Sequence, residues 1–272
     1  MKKWIKIAFW CLLIIGVSIT LGLTKSTQAS KILLSPEILI HVEGEYTFLT
    51  EDELLTRLKA DGYLYDNQLM EQLDVNKLEQ YIAKMPEVKA VDVFANIGNS
   101  WSIELSLRKP VARIFNKRGE SFYMDKEGKS LPISPTHSAR LLLFSGEIND
   151  DLSTPSVDQI INNDSLKSIL FLDDVYRISN YVCNDPFLHA LIGQVYVQKD
   201  GQMLIIPLVG EQIIEFGKAD TEKSIEEKFS KLKVFYKEAI PYEGWEKYKT
   251  ISLKYNNQIV CTKRDEIKTI DK

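Results

Sequence analysis

Apolar positions change their spacing twice along the chain. From Ile7 to Thr24 no residue is charged, and as a helix rising about 1.5 Å per residue this run spans roughly 27 Å, close to the hydrocarbon thickness of a bilayer. Lys2, Lys3 and Lys6 precede it, while only Lys25 and Lys31 follow closely. The positive-inside bias then makes 1–6 a short cytoplasmic tail, 7–24 a single transmembrane helix, and the remainder exported. A cleaved leader is the competing reading, because Thr27-Gln28-Ala29 loosely resembles a small-residue cleavage site. The apolar run exceeds the roughly 7–15 residues usual for a leader.

After a linker at 30–37 the spacing alternates between strand-like and helix-like. Ile38 to Val42 reads as a strand ended by Gly44. Thr50 and Glu53 have capping-box spacing ahead of Leu54, Leu55 and Leu58, which share a helix face up to Gly62. Asp74 is an N-cap for a second helix carrying Val75, Leu78, Ile82 and Met85, stopped by Pro86. Val91, Val93, Ala95 and Ile97 alternate, Gly98-Asn99 suits a tight turn, and Trp101, Ile103, Leu105 and Leu107 alternate again. The reading is a β-α-α-β-β domain over 38–109.

From Pro110 to Arg264 the pattern is β-rich and interrupted by two helices. One contains Leu166, Ile169, Leu170 and Val175; the other runs from a Thr221 cap through Ile225, Phe229, Leu232 and Tyr236 to a break at Pro241. Arg113 to Phe115 and Phe122 to Met124 flank a turn at Gly119, and Leu191 to Gln198 and Met203 to Leu208 are strands joined at Asp200-Gly201. Gln212 to Phe216 follows. Ile251 to Tyr255, Asn256-Asn257 and Gln258 to Thr262 read as a terminal hairpin, with 265–272 as a tail. The fold class is α+β. Because no later chain covers the last strand, Gln258, Ile259, Val260, Cys261 and Thr262 are expected to form an open edge that pairs with a partner strand. Lys254 and Tyr255 on the preceding strand are the candidate side-chain contacts. Gln258, Val260 and Thr262 point to one face and Ile259 and Cys261 to the other.

Composition narrows the function. The 272 residues are 44% apolar and 10% aromatic, enough for a substantial core, and 34 basic against 38 acidic residues are mixed along the chain, which disfavours nucleic acid. Cys11, Cys183 and Cys261 include no CxxC pair, so no zinc site is encoded; Cys183 and Cys261 are the pair open to a disulfide in an oxidising compartment. His41, His137 and His189 stand in no metalloprotease or nucleophile-elbow motif. The pairs Asp150-Asp151 and Asp173-Asp174 read as surface charges, since neighbouring positions do not face one substrate. Val209-Gly210-Glu211 and Phe216-Gly217-Lys218 lack the closely spaced glycines followed by Lys-Ser/Thr at a helix start that a phosphate loop needs and read as strand turns, and Trp245 and Tyr248 read as core aromatics. A binding protein with no catalytic site, cofactor or metal is expected.

Several stretches resemble the bacterial division family FtsQ/DivIB. Arg108-Lys109-Pro110-Val111-Ala112 matches its Arg-x-Pro-Val-Ala motif, and Asp125-Lys126-Glu127-Gly128 with Leu131-Pro132 matches its passage into a β domain. Ile206-Pro207-Leu208-Val209-Gly210, Ile214-Glu215-Phe216-Gly217 and Leu253-Lys254-Tyr255 with Gln258-Ile259-Val260 are similar to further family stretches. The resemblance implies that the β-α-α-β-β segment is a POTRA-like domain serving localisation. It implies a bitopic inner-membrane scaffold at the division septum, whose last strand receives an FtsB-type partner of the FtsB–FtsL coiled-coil pair and so influences the FtsW–FtsI septal peptidoglycan synthase. A POTRA-containing component of secretion or outer-membrane assembly is the alternative, and a cell-wall enzyme a third.

Overall fold

The computed structural model describes residue 10 and residues 12–19, 31–44, 47–96, 99–134 and 139–264. The expected tails 1–6 and 265–272, most of the 7–24 run, Ile97, the Gly98 half of the expected turn and His137 lie outside them. Of that run, Trp10 and residues 12–19 are helical, with Trp10 62% and Leu12 73% exposed. Among the described residues no helix is long and apolar enough to cross a membrane.

The chain divides into two compact units, Met1–Arg108 and Lys109–Lys272. In the first, β1 (Glu37–His41) is followed by α1 (Glu51–Ala60), α2 (Val75–Ile82), β2 (Val88–Ala95) and β3 (Trp101–Leu107). The sheet order is β1-β3-β2, with β1 parallel and β2 antiparallel to β3. Both expected caps are present: Thr50 Oγ1 accepts from the Glu53 amide at 3.3 Å and Asp74 Oδ1 from the Lys77 amide at 3.1 Å. The Glu53 carboxylate leaves the capping box and takes Arg57 instead, at 2.7 Å. Leu54, Leu58, Leu78 and Ile82 bury against Val93, Ile103 and Leu105, a helix layer on one sheet face. Strand β2 alternates less regularly than its sequence does. Its register slips between Val88 and Ala90, and Ala95 is exposed.

The second unit carries a nine-stranded mixed sheet, built from β4 (Pro110–Phe115), β5 (Ser121–Asp125), β6 (Ser130–Leu131), β7 (Leu142–Gly146), β8 (Ile192–Val197), β9 (Met203–Pro207), β10 (Ile213–Gly217), β11 (Tyr248–Ser252) and β12 (Val260–Lys263). Its order is β12-β11-β10-β9-β8-β7-β4-β5-β6. Inward residues Val195, Val197, Met203, Ile205, Ile214, Phe216 and Ile251 are buried with helical residues Val175, Ile178, Phe229 and Leu232. Alternate residues of the same strands, Tyr196, Ile206 and Ile213, are 39–41% exposed. Turns at Gly201 and Gly210 take φ of +75° and +83°, the left-handed region glycine enters without a Cβ clash.

The helices here outnumber the two expected. They are α3 (Val157–Ile161), α4 (Asp164–Lys167), α5 (Leu172–Cys183), α6 (Pro186–Leu191), α7 (Glu222–Glu238) and α8 (Ile240–Glu243). The single helix read through Leu166 and Val175 is broken because Asp150 accepts from the Phe171 and Leu172 amides at 3.0–3.1 Å, starting a fresh helix from 22 residues upstream of Leu172. The strand placed at Leu191 begins at Ile192, since Asp185 caps a short helix with Pro186 in its first turn. Pro241 ends α7 as expected and then serves in the first turn of α8. Asp150 and Asp173 are buried, not surface charges. A carboxylate that satisfies backbone amides or an arginine can enter the interior, and adjacency in sequence carries no trace of such partners.

A candidate recognition edge

Strands β10 and β11 are parallel neighbours joined through α7, and β12 returns antiparallel to β11 at the rim of the sheet. Pairing sets Ser252 opposite Val260, Ile251 opposite Cys261, Thr250 opposite Thr262 and Tyr248 opposite Lys263, with the extra residue of a bulge on β11. The Arg264 amide donates to the Lys247 carbonyl at 3.0 Å. Amides alternate sides along an antiparallel strand, so those of Thr262 and Val260 also face β11. Among the described residues, the groups of Cys261 and Lys263 are therefore the ones left on the free edge.

Side chains alternate with the same period. Ile259 and Cys261 are half-buried against the helical core, while Gln258, Val260 and Thr262 are exposed, which is the expected division of faces. Burial pushes the Cys261 thiol pKa up. Cys261 and Cys183 are both free thiols, not a disulfide.

The approach to the edge differs from a tight hairpin. Leu253, Lys254 and Tyr255 are not strand residues, and neither are Gln258 and Ile259; the connection runs from 253 to 259. Leu253 is fully buried and its amide donates to the Glu215 carbonyl at 2.9 Å, which ties the chain to β10 and carries it past the point where a two-residue turn would begin. Asn257 at φ 58° makes the actual reversal. The Lys254 ammonium already faces Glu215 at 3.3 Å, so this residue secures the connection and is less available to a partner than its sequence suggested. Tyr255 stands 51% exposed.

Sequence reasoning missed the neighbour of this edge. Lys231, Val234, Phe235, Ala239, Gln258 and Ile259 line a groove of about 480 Å³ between α7 and the residues that lead into β12. Val234, an apolar residue off the helix's buried stripe of Ile225, Phe229, Leu232 and Tyr236 and 60% exposed, was the signal that could have shown it. Lys231 Nζ donates to the Tyr255 carbonyl at 2.7 Å.

Other groups lie elsewhere. His41 pairs with Glu104 at 2.9 Å on the exposed face of the first unit's sheet, and His189 is exposed in the last turn of α6. Trp245 and Tyr248 join a chain of rings with Tyr236 and Phe235, although Trp245 remains 43% exposed. Among the described residues no cluster of histidine, cysteine and acidic side chains is placed to hold a metal ion.

Fold and edge together define an α+β protein whose larger unit ends a mixed sheet in a rim strand paired on one side only among the described residues, beside an apolar groove. A family model described as FtsQ/DivIB, C-terminal related, matches residues 109–262, which covers that sheet and its helices up to Thr262 in the last strand. The chain belongs to this family, and with it to the proteins of cell division. No curated protein matches it.

Proposed function

We propose that the chain is a single-span, membrane-anchored scaffold of the bacterial division machinery that acts by receiving a partner strand along β12. The observation that carries the reading is the free edge at Cys261 and Lys263, on a strand at the end of the family-matched region, which includes Cys261. Main-chain groups there would supply affinity, and the flanking groove would take the apolar side chains of the incoming strand on the helical face, with Val260 and Thr262 meeting those on the other. Tyr255 and the start of β12 border the site. The partner is an FtsB-type protein of the FtsB–FtsL coiled-coil pair, through which the scaffold influences FtsW–FtsI septal peptidoglycan synthesis. The β-α-α-β-β unit is a POTRA-like domain with a role in localisation, and the uncharged run at 7–24 is the anchor. Nothing in the reading calls for catalysis, a cofactor or nucleic acid.

Proline separates the two sides of the strand. Cys261→Pro removes an outward donor and leaves the β11 pairing intact, whereas Val260→Pro removes an amide that faces β11. Binding of the extracytoplasmic part of an FtsB-type protein to the detergent-solubilised full chain is expected to weaken roughly tenfold in Cys261→Pro, the scale of one net hydrogen bond of about 1.4 kcal/mol. Val260→Pro is expected to lower the unfolding midpoint more. Unchanged affinity in a folded Cys261→Pro chain, or in Lys263→Pro should the first not fold, would sink the edge mechanism.

A further inference from the structure

Helix α7 sends two lysines back to the sheet. Lys228 donates to the Lys218 carbonyl at 2.5 Å with its ammonium 4.8 Å from the centre of the Phe216 ring. Lys231, one turn later, donates to the Tyr255 carbonyl at 2.7 Å and reaches the Leu253 carbonyl at 3.4 Å. Because β10 and β11 are parallel, the two ammonium groups close the C-terminal ends of neighbouring strands. They serve different segments. Lys228 holds the exit of β10 towards α7; Lys231 holds the chain between β11 and β12.

Two carbonyls two residues apart on one ammonium require the backbone to curl at Lys254, and charge-assisted bonds are the stronger kind. The curl fixes where Asn257 reverses the chain and hence where β12 starts. Without it, the contacts described for the residues after the buried Leu253 are the Lys254–Glu215 pair and the packing of the half-buried Ile259. An edge that is ordered before its partner arrives does not pay the ordering cost at binding.

We infer that Lys231 is a positioning residue for the recognition edge: by tying the Leu253 and Tyr255 carbonyls to α7 it holds the 253–259 connection in the geometry that presents Cys261 and Lys263 to an incoming strand. The inference rests on β12 being the partner edge. It assigns Lys231 no contact with the partner's backbone. Its role is to raise the fraction of molecules whose edge is competent, and apparent affinity falls in proportion to that fraction.

The test compares Lys231→Met, Lys231→Arg and Lys228→Met in the detergent-solubilised full chain, by amide hydrogen exchange across 254–263 and by binding of the extracytoplasmic part of an FtsB-type protein. Methionine keeps an unbranched stem in the groove wall and removes the donors, while arginine keeps them. Lys231→Met is expected to exchange faster at the connection and to bind on the order of tenfold more weakly. Lys231→Arg should restore both, and Lys228→Met should leave both as in the parent. Parent-like exchange and binding in Lys231→Met would overturn the inference, as would an equal loss in Lys228→Met, which would indicate general stapling of α7. If the parent itself fails to bind, the edge reading falls on its own and exchange alone decides the lysine's role: faster in Lys231→Met supports it, unchanged exchange refutes it.

Discussion

Asp174 illustrates how far a side chain's behaviour departs from its place in the sequence. It sits beside Asp173 in the first turn of α5, and both carboxylates share one guanidinium, that of Arg177, which is 3.0 Å from Asp173 and also contacts Asp174. Arg177 further donates to the Ala219 carbonyl at 3.0 Å, and Asp220 adds another negative charge nearby. Burial first, and the charge of Asp173 second, push the Asp174 pKa up to about 6 against the pull of Arg177. A carboxyl whose folded pKa lies above its unfolded value near 4 favours the folded state when protonated. Its contribution is fully present below about pH 4 and is lost as pH rises through about 6. Asp174→Asn, which stays neutral, is therefore expected to raise stability at pH 7.5 by about 1–3 kcal/mol and to change little at pH 4. Thermal melts of both chains across that range check the sign. A variant less stable than the parent at pH 7.5 would show that the Arg177 contact outweighs the burial of charge.

At the scale of elements, what could be read from the sequence was what is encoded locally. Helix α7 carries its own hydroxyl cap, with Thr221 Oγ1 accepting from the Ser224 amide at 3.2 Å, and its own apolar stripe, so it lies where its pattern put it. Helix α5 does not. Its start is fixed by Asp150, whose pKa burial raises and which no periodicity connects to Phe171. The terminal hairpin shows the same limit: Asn256-Asn257 is a sound turn signal, and the faces of Ile259, Val260 and Cys261 follow from period two, but the strand's start depends on Leu253 pairing with β10 and on Lys231. Alternation of side chains identifies faces and leaves open which edge each amide takes, which is why the outward donors at Cys261 and Lys263 required the register. Asp150→Ala should test the distant cap, costing about 2–3 kcal/mol in denaturant unfolding because two helix-start amides and a buried site lose their acceptor. A loss under about 0.5 kcal/mol would mean that water replaces the carboxylate.

For the whole molecule, the two units keep separate cores, Leu49 to Leu107 in one and Val111 to Leu253 in the other. The proposed anchor precedes both, and charge asymmetry about 7–24 fixes the expected topology: Lys2 inside and Lys272 outside, with one uncleaved span. A reporter enzyme fused after Lys272 should be active only in its extracytoplasmic form. A mature chain beginning at Ser30 would overturn the anchor.

The nine-stranded sheet has two rims of very unequal length, four residues at β12 and two at β6. A rim of two residues is a poor template for another strand, so growth can proceed from one side only. Assembly by sheet extension is then self-limiting. Two copies meeting through β12 would form a closed two-fold dimer and consume both templates, while a copy joined to a different protein is likewise finished. On the proposed reading of β12 the chain would cap a β-structure without propagating it into a fibre, and any homodimer through β12 would compete directly with the heterologous complex.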